Sequence, residues 1–211
     1  MSHVVLLGDS IFDNEAYVPN SPAVIEQVRL GLPPDWKATL VAVDGHVIED
    51  IERQLKEVPE STTHLVISVG GNNALQASTL LNDPASTVGD ALTQLSAAAD
   101  QFRNAYVKML RGVLALDKPT CVCTIYDAVP VIGPPERAAL ACFNDIITRA
   151  ANLVGLPLLD LRVICNHPDD YSPLSPIEPS VVGGAKIADA ICRMLAATIS
   201  PQAAALSGCD P

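Results

Sequence analysis

Aromatic residues are scarce in this chain, at 4% of 211 positions. Any pocket it forms is therefore expected to be lined by Val, Ile, Leu and Ala rather than by rings. Charge is sparse too: 18% of residues are charged against 49% hydrophobic, the balance of a folded globular chain rather than a disordered one. Positive charge is scarcest. Thirteen Lys and Arg stand against 24 Asp and Glu, for a formal net charge of −11, and no Lys/Arg cluster exceeds two residues. That pattern argues against nucleic acid or an anionic membrane surface as a partner. No run of 18 apolar residues is present, which argues against a membrane span. The early run VVLL, beginning at residue 4, is too short for a signal-peptide core, so a cytoplasmic chain is expected. The six cysteines, Cys121, Cys123, Cys142, Cys165, Cys192 and Cys209, form no CxxC pair and no Cys/His zinc spacing. They are expected to be buried or free thiols, with Cys121 and Cys123 pointing the same way on a strand. Neither GxGxxG nor GxxxxGK occurs, which removes the common nucleotide fingerprints. The acids Asp9, Asp13, Asp44 and Glu178 have no recognisable metal-ligand spacing, so neither metal nor cofactor is expected.

What the sequence does contain is an alternation of strand and helix patterns. The apolar run at 3–7 reads as a central strand buried on both faces, and the largely apolar segments 38–43, 64–69, 119–125 and 156–161 read as four more strands. Between and after them, helical spacing covers 22–31, 47–57, 87–115, 136–154 and 181–199. In the long third segment the apolar stripe is Val88, Ala91, Leu92, Leu95, Phe102, Tyr106, Met109 and Val113. The alternation predicts a three-layer α/β/α sandwich around a five-stranded parallel sheet, ordered 2-1-3-4-5 as in flavodoxin. No internal repeat or linker divides the chain. One domain is expected over 1–199, followed by a weakly patterned tail over 200–211.

In such folds ligands bind at the carboxyl ends of the strands, and the distinctive residues of this chain gather there. The first strand ends in Gly8-Asp9-Ser10, the second in Asp44-Gly45-His46, and the third in Gly70-Gly71-Asn72-Asn73. Near the other end of the sequence, SPIEPSVVGG holds one acid, Glu178, between Pro176 and Pro179, just before the last helix. Alone, Ser10 would read as a turn or helix cap. The ordered set reads differently.

These blocks resemble those of the SGNH hydrolases, a branch of the GDSL esterase and lipase superfamily, and the resemblance runs from about residue 4 to 198. It implies that Ser10 is a nucleophile and that a small-molecule ester is the substrate. The N–H groups of Ser10 and Gly45 and the side chain of Asn72 would then hold the oxyanion. It also implies a flavodoxin-like fold and no cofactor; self-association is left open. Three positions depart from the pattern. Ser175 replaces the aspartate of the DxxH block, Glu178 replaces its histidine, and Asn73 replaces the aspartate of the GxND block.

A carboxylate in the base position must take the serine proton and return it to the leaving group. Its ordinary pKa is about 4.3, against about 6.5 for imidazole; burial raises it and a following helix N-terminus lowers it. The two prolines are expected to stiffen the segment, Ser180 to cap the last helix, and Gly183-Gly184 to let that helix approach the first strand. Ser10 and Glu178 are thus the candidate dyad, with Asp9 beside them. His46 and His167 are the alternative bases, and Asp169 or Asp170 could orient one. His3 and His64 begin strands at the far end and are expected to be structural. Glu178 could instead brace its loop, in which case the chain would be an inactive member of the fold that binds a carbohydrate or acyl ligand.

Overall fold

The computed structural model describes residues 2–199, so the expected tail and Cys209 lie outside the described residues. Five strands, β1 (Ser2–Gly8), β2 (Trp36–Leu40), β3 (His64–Ser68), β4 (Thr120–Cys123) and β5 (Leu158–Leu159), form one parallel sheet in the order β2-β1-β3-β4-β5. The described helices are α1 (Val24–Gly31), α2 (Ile51–Gln54), α3 (Gly71–Ala77), α4 (Val88–Leu114), α5 (Pro134–Leu153), α6 (Leu161–Ile164) and α7 (Val181–Ile199).

The period of two along β1 separates the layers. Val4 and Leu6 point into a core with Val24, Ile25 and Val28 of α1 and Ile187, Ile191 and Leu195 of α7. Val5 and Leu7 point into a second core with Ile51 of α2, Phe102 and Tyr106 of α4, and Phe143 and Ile147 of α5. All four β1 residues are fully buried, which is why the run is continuously apolar rather than alternating. This is the three-layer parallel architecture expected from the sequence.

The differences are local. β2 was expected over 38–43 but ends at Leu40, because the N–H groups of Val41 and Ala42 both donate to the Leu6 carbonyl and leave the ladder. β5 shrinks from 156–161 to two residues, since Asp160 turns the chain by capping α6 at the Arg162 N–H. The segment 47–57 is a broken helix, with 3₁₀ turns at Ile48–Asp50 and Leu55–Glu57 flanking α2. The short helices α3 and α6 had no sequence signal. In α4 only the second half of the expected stripe is buried; Val88 and Leu92 are 77% and 59% exposed. A 27-residue helix is about 40 Å long and overshoots a sheet whose strands have seven residues at most. The glycine pair of α7 does not meet β1. A Cβ on Gly183 would lie 2.1 Å from the Asp170 carbonyl oxygen, and one on Gly184 would lie 3.0 Å from the Gln27 side chain of α1. α7 and α1 cover the same sheet face, so α1 and a loop, not the strand, are what the small residues admit. Cys121, Cys123, Cys142, Cys165 and Cys192 are free thiols, and burial pushes Cys121 up to about 12.

Candidate active site

The site grows from the end of β1. Gly8 has φ +137°, and a Cβ there would lie 1.8 Å from the Ser68 carbonyl oxygen, so only glycine lets β1 turn this close to β3. The buried Gln54 amide clasps the same residue from the other side, accepting from Gly8 N–H at 2.8 Å and donating to its carbonyl at 2.7 Å. Asp9 N–H donates to Ser68 O at 3.1 Å, and the Asp9 carbonyl accepts from Phe12 and Asp13. Ser10 sits on this turn, 6% exposed, at one end of a cavity.

Glu178 reaches the same place from the other end of the chain. Three successive carbonyls fix its backbone. Ile177 O accepts from the buried Tyr126 hydroxyl at 2.5 Å, Glu178 O from Ser172 N–H at 2.8 Å, and Pro179 O from Asn14 Nδ2 at 3.1 Å. Glu178 N–H closes a turn onto Ser175 O at 3.0 Å. The rigidity expected from two prolines is thus shared with hydrogen bonds, two within the loop and two to residues distant in sequence. Ser180 caps α7 as expected, its Oγ accepting from Val182 and Gly183 N–H at 3.1 and 3.2 Å.

Ser10 and Glu178 are brought together. Burial raises the pKa of Glu178, a hydrogen bond from the Ser10 side chain lowers it, and the nearby Asp44 carboxylate raises it again. Its Oε2 atom is buried without a hydrogen-bond partner, an unsolvated lone pair that makes the carboxylate a better proton acceptor. Asp9, also buried, is pushed up to about 7 by desolvation, against a bond from Ile11 N–H, with Glu178 and Asp44 adding to the rise.

The other expected residues divide. Asn72 borders the cavity, and its Nδ2 donates to His46 O at 2.9 Å, which aims the amide and ties it to the Gly45–His46 turn. Gly45 has φ +79°; it lies on this turn, outside the cavity wall. Asn73 braces the same loop, accepting from Ile48 N–H at 2.9 Å and donating to Glu49 Oε2 at 3.1 Å. His46 does not face Ser10: its Nδ1 is 2.8 Å from Gln54 Nε2 and its Nε2 is 2.8 Å from an Arg53 nitrogen. His167 is exposed and caps the turn Pro168–Asp170, while Asp169 lies beside it and Asp170 is paired with Lys186 at 2.7 Å. Ser175 contributes its carbonyl to the Glu178 turn. His3 bonds to Ser61 and Thr39, and His64 to Thr63, at the far end of the strands. Asn14 and Tyr126 had no sequence signal, because each acts on a backbone carbonyl that only the fold brings near, and the same holds for the Ser172 hydroxyl, which donates to Tyr17 O at 2.7 Å.

Beyond its polar end the cavity, about 140 Å³ in all, is mainly apolar and runs between α3, α4 and α5, with Ala77, Leu81, Leu95, Ala139 and Leu140 among its walls. The expectation of an aliphatic lining holds, with Tyr126 and Phe143 added.

Solved structures share this architecture. An alpha/beta hydrolase enzyme from the metagenome of Lake Arreo, Spain, superposes with a TM-score of 0.70 at 18% identity, over 93% of this chain and 94% of its own. A lipase from a goat rumen metagenome gives 0.72 at 15% identity, over 90% and 96%. A carbohydrate acetylesterase from Sinorhizobium meliloti gives 0.68 at 11% identity, over 94% and 100%. The fold of this chain is the fold of these esterases and lipases. No family model matches the chain, and no curated protein matches it by sequence.

Proposed function

We propose that the chain hydrolyses carboxylic esters through an acyl-serine intermediate, as a serine esterase of the SGNH type. One observation carries the reading: the buried Ser10 hydroxyl and the buried Glu178 carboxylate are neighbours at the polar end of an apolar cavity that Asn72 also borders. Glu178 takes the Ser10 proton as Oγ attacks the ester carbonyl. The tetrahedral oxyanion is held by the N–H groups of Ser10 and Gly45 and by the Asn72 amide. Collapse expels the alcohol, which receives its proton from Glu178. Water then attacks the acyl-serine with Glu178 again as base, releasing the acid and restoring Ser10. Burial that raises the Glu178 pKa moves a weak base toward the strength this step needs. Each oxyanion donor is worth about a hundred- to a thousandfold in rate. The esterases and lipases that share the fold support the same chemistry.

A second reading, ligand binding without hydrolysis, is favoured by the absence of histidine from the cavity wall among the described residues. The two separate on release of p-nitrophenol from its acetate and butyrate esters. The intact protein is expected to turn over, Ser10→Ala to fall to background, and Glu178→Gln to lose about a hundred- to ten-thousandfold in kcat/KM. Unaltered rates in Glu178→Gln would sink the base assignment. Background release by the intact, folded protein would favour the binding reading.

A further inference from the structure

The cavity itself points to a substrate class. Its polar groups sit at one end, where Asp9, Ser10, Asn72 and Glu178 meet. The wall beyond is built from Ala77, Leu81, Leu95, Ala139, Leu140 and Phe143. Four further polar side chains border it. Ser68 lies at the polar end, paired with Gly8 at the end of β3. The other three are committed to backbone: the Tyr126 hydroxyl donates to Ile177 O at 2.5 Å, Ser78 Oγ donates to Leu75 O at 2.7 Å, and Glu136 Oε2 accepts from Gly133 N–H at 3.0 Å. A sugar ring placed there would bury hydroxyls without partners, which a hydrophobic wall penalises. No Lys or Arg lines the cavity among the described residues, so a carboxylate or phosphate has no cation there to pair with. An aliphatic chain has no such requirement.

Size limits the chain. The cavity is partly open to solvent, and its volume of about 140 Å³ is close to that of an engineered apolar cavity of about 150 Å³ known to hold benzene, which corresponds to about six carbons. Position selects which half of the ester enters. Asn72, the donor to the carbonyl oxygen, lies on α3, and Ala74 and Ala77 of the same helix continue the wall. The carbonyl and its chain therefore start against α3. The alcohol leaves beside Glu178, which protonates it.

We infer that the cavity is an acyl-chain site for straight aliphatic acyl groups of about six carbons, and that acetyl and sugar-bearing acyl groups underfill or mismatch it. The inference rests on the reading of Ser10 as the nucleophile, and its test keeps the two apart. p-Nitrophenyl esters from acetate to decanoate are assayed with the intact protein. kcat/KM is expected to rise about fourfold per methylene, to about a hundredfold or more over acetate near hexanoate, and then to level or fall. Ala77→Leu narrows the cavity and shifts the optimum to shorter chains. Leu140→Ala widens it and shifts the optimum to longer ones. The two shifts run in opposite directions, so loss of fold in one variant leaves the other to decide.

Binding is read separately on Ser10→Ala, which performs no chemistry. Hexanamide, a neutral chain with a carbonyl, is expected to raise its Tm more than acetamide does, and less so when Ala77→Leu is added. Hydrolysis that is fastest with acetate, with an optimum that neither variant moves, overturns the acyl-site inference while the esterase reading stands. Hexanamide binding without hydrolysis of any ester overturns the esterase reading while the chain site stands. Neither binding nor hydrolysis overturns both.

Discussion

Asp9 and Glu178 are buried close together, with Asp44 near both, and no cation is among the groups that shift either one. The consequence for Asp9 is a carboxyl that titrates at about 7 in the folded chain instead of near 3.8. The folded state therefore binds this proton more tightly than the unfolded state does. The stability it brings is fully present below the ordinary carboxylate pKa, declines as pH rises, and is gone above about 7. Asp9→Asn keeps an acceptor for Ile11 N–H but cannot titrate. Relative to the intact protein, this variant is expected to become more stable by on the order of 3 kcal/mol as pH is raised from about 5 to about 8. Urea unfolding of the two proteins at both pH values measures it; a difference that does not change with pH would refute the buried protonated acid. Ser10, Asn72 and Glu178 were legible in the sequence because each stands in a short block with a local signature. The state of Asp9 was not, because its desolvation and its acidic neighbours come from segments far apart in the chain.

At the scale of elements, α7 holds the segment carrying Glu178 in place. Its first turn is capped by Ser180, two residues after Glu178, whose hydroxyl also donates to Asp169 O. Ser180→Ala is expected to cost about 1 kcal/mol, lowering Tm by about 2–4 °C in a domain of this size. Gly183→Ala is expected to cost more, because its Cβ would have to displace the Asp170 carbonyl, which itself accepts from Ser180 N–H at 2.9 Å. Displacing that carbonyl moves the segment carrying Glu178, so activity should fall beyond the fraction unfolded. Thermal melts beside initial rates test both; a Gly183→Ala protein as stable and active as Ser180→Ala would contradict the packing described. The helix and its cap could be read from Ser180 and the spacing of Ile187, Ile191 and Leu195. The partner of its glycines could not, since local sequence says that a close approach occurs but not to what.

For the molecule as a whole, the net charge of −11 and the acids Glu136 and Glu178 on the cavity wall repel negative ligands. Mono-p-nitrophenyl succinate has an acyl chain of butyrate length ending in a carboxylate. Its kcat/KM is expected to be at least about tenfold below that of the butyrate ester at low salt, with the gap narrowing as added salt screens the field. Equal rates at low salt would show that charge does not govern entry.

The sequence by itself determined the parallel sheet and its order, the two helical layers, the serine turn and the glutamate before the last helix. Each rests on local spacing or on a short block, which a chain carries before it folds. Tertiary structure alone decided that Ser10 and Glu178 meet. It turned His46 toward Gln54 and Arg53, left His167 on the surface, and shaped a mainly aliphatic cavity between α3, α4 and α5. These outcomes depend on which distant segments exclude water together. Asn14 and Tyr126 hold the carbonyls on either side of Glu178 from segments that the loop's own residues do not specify.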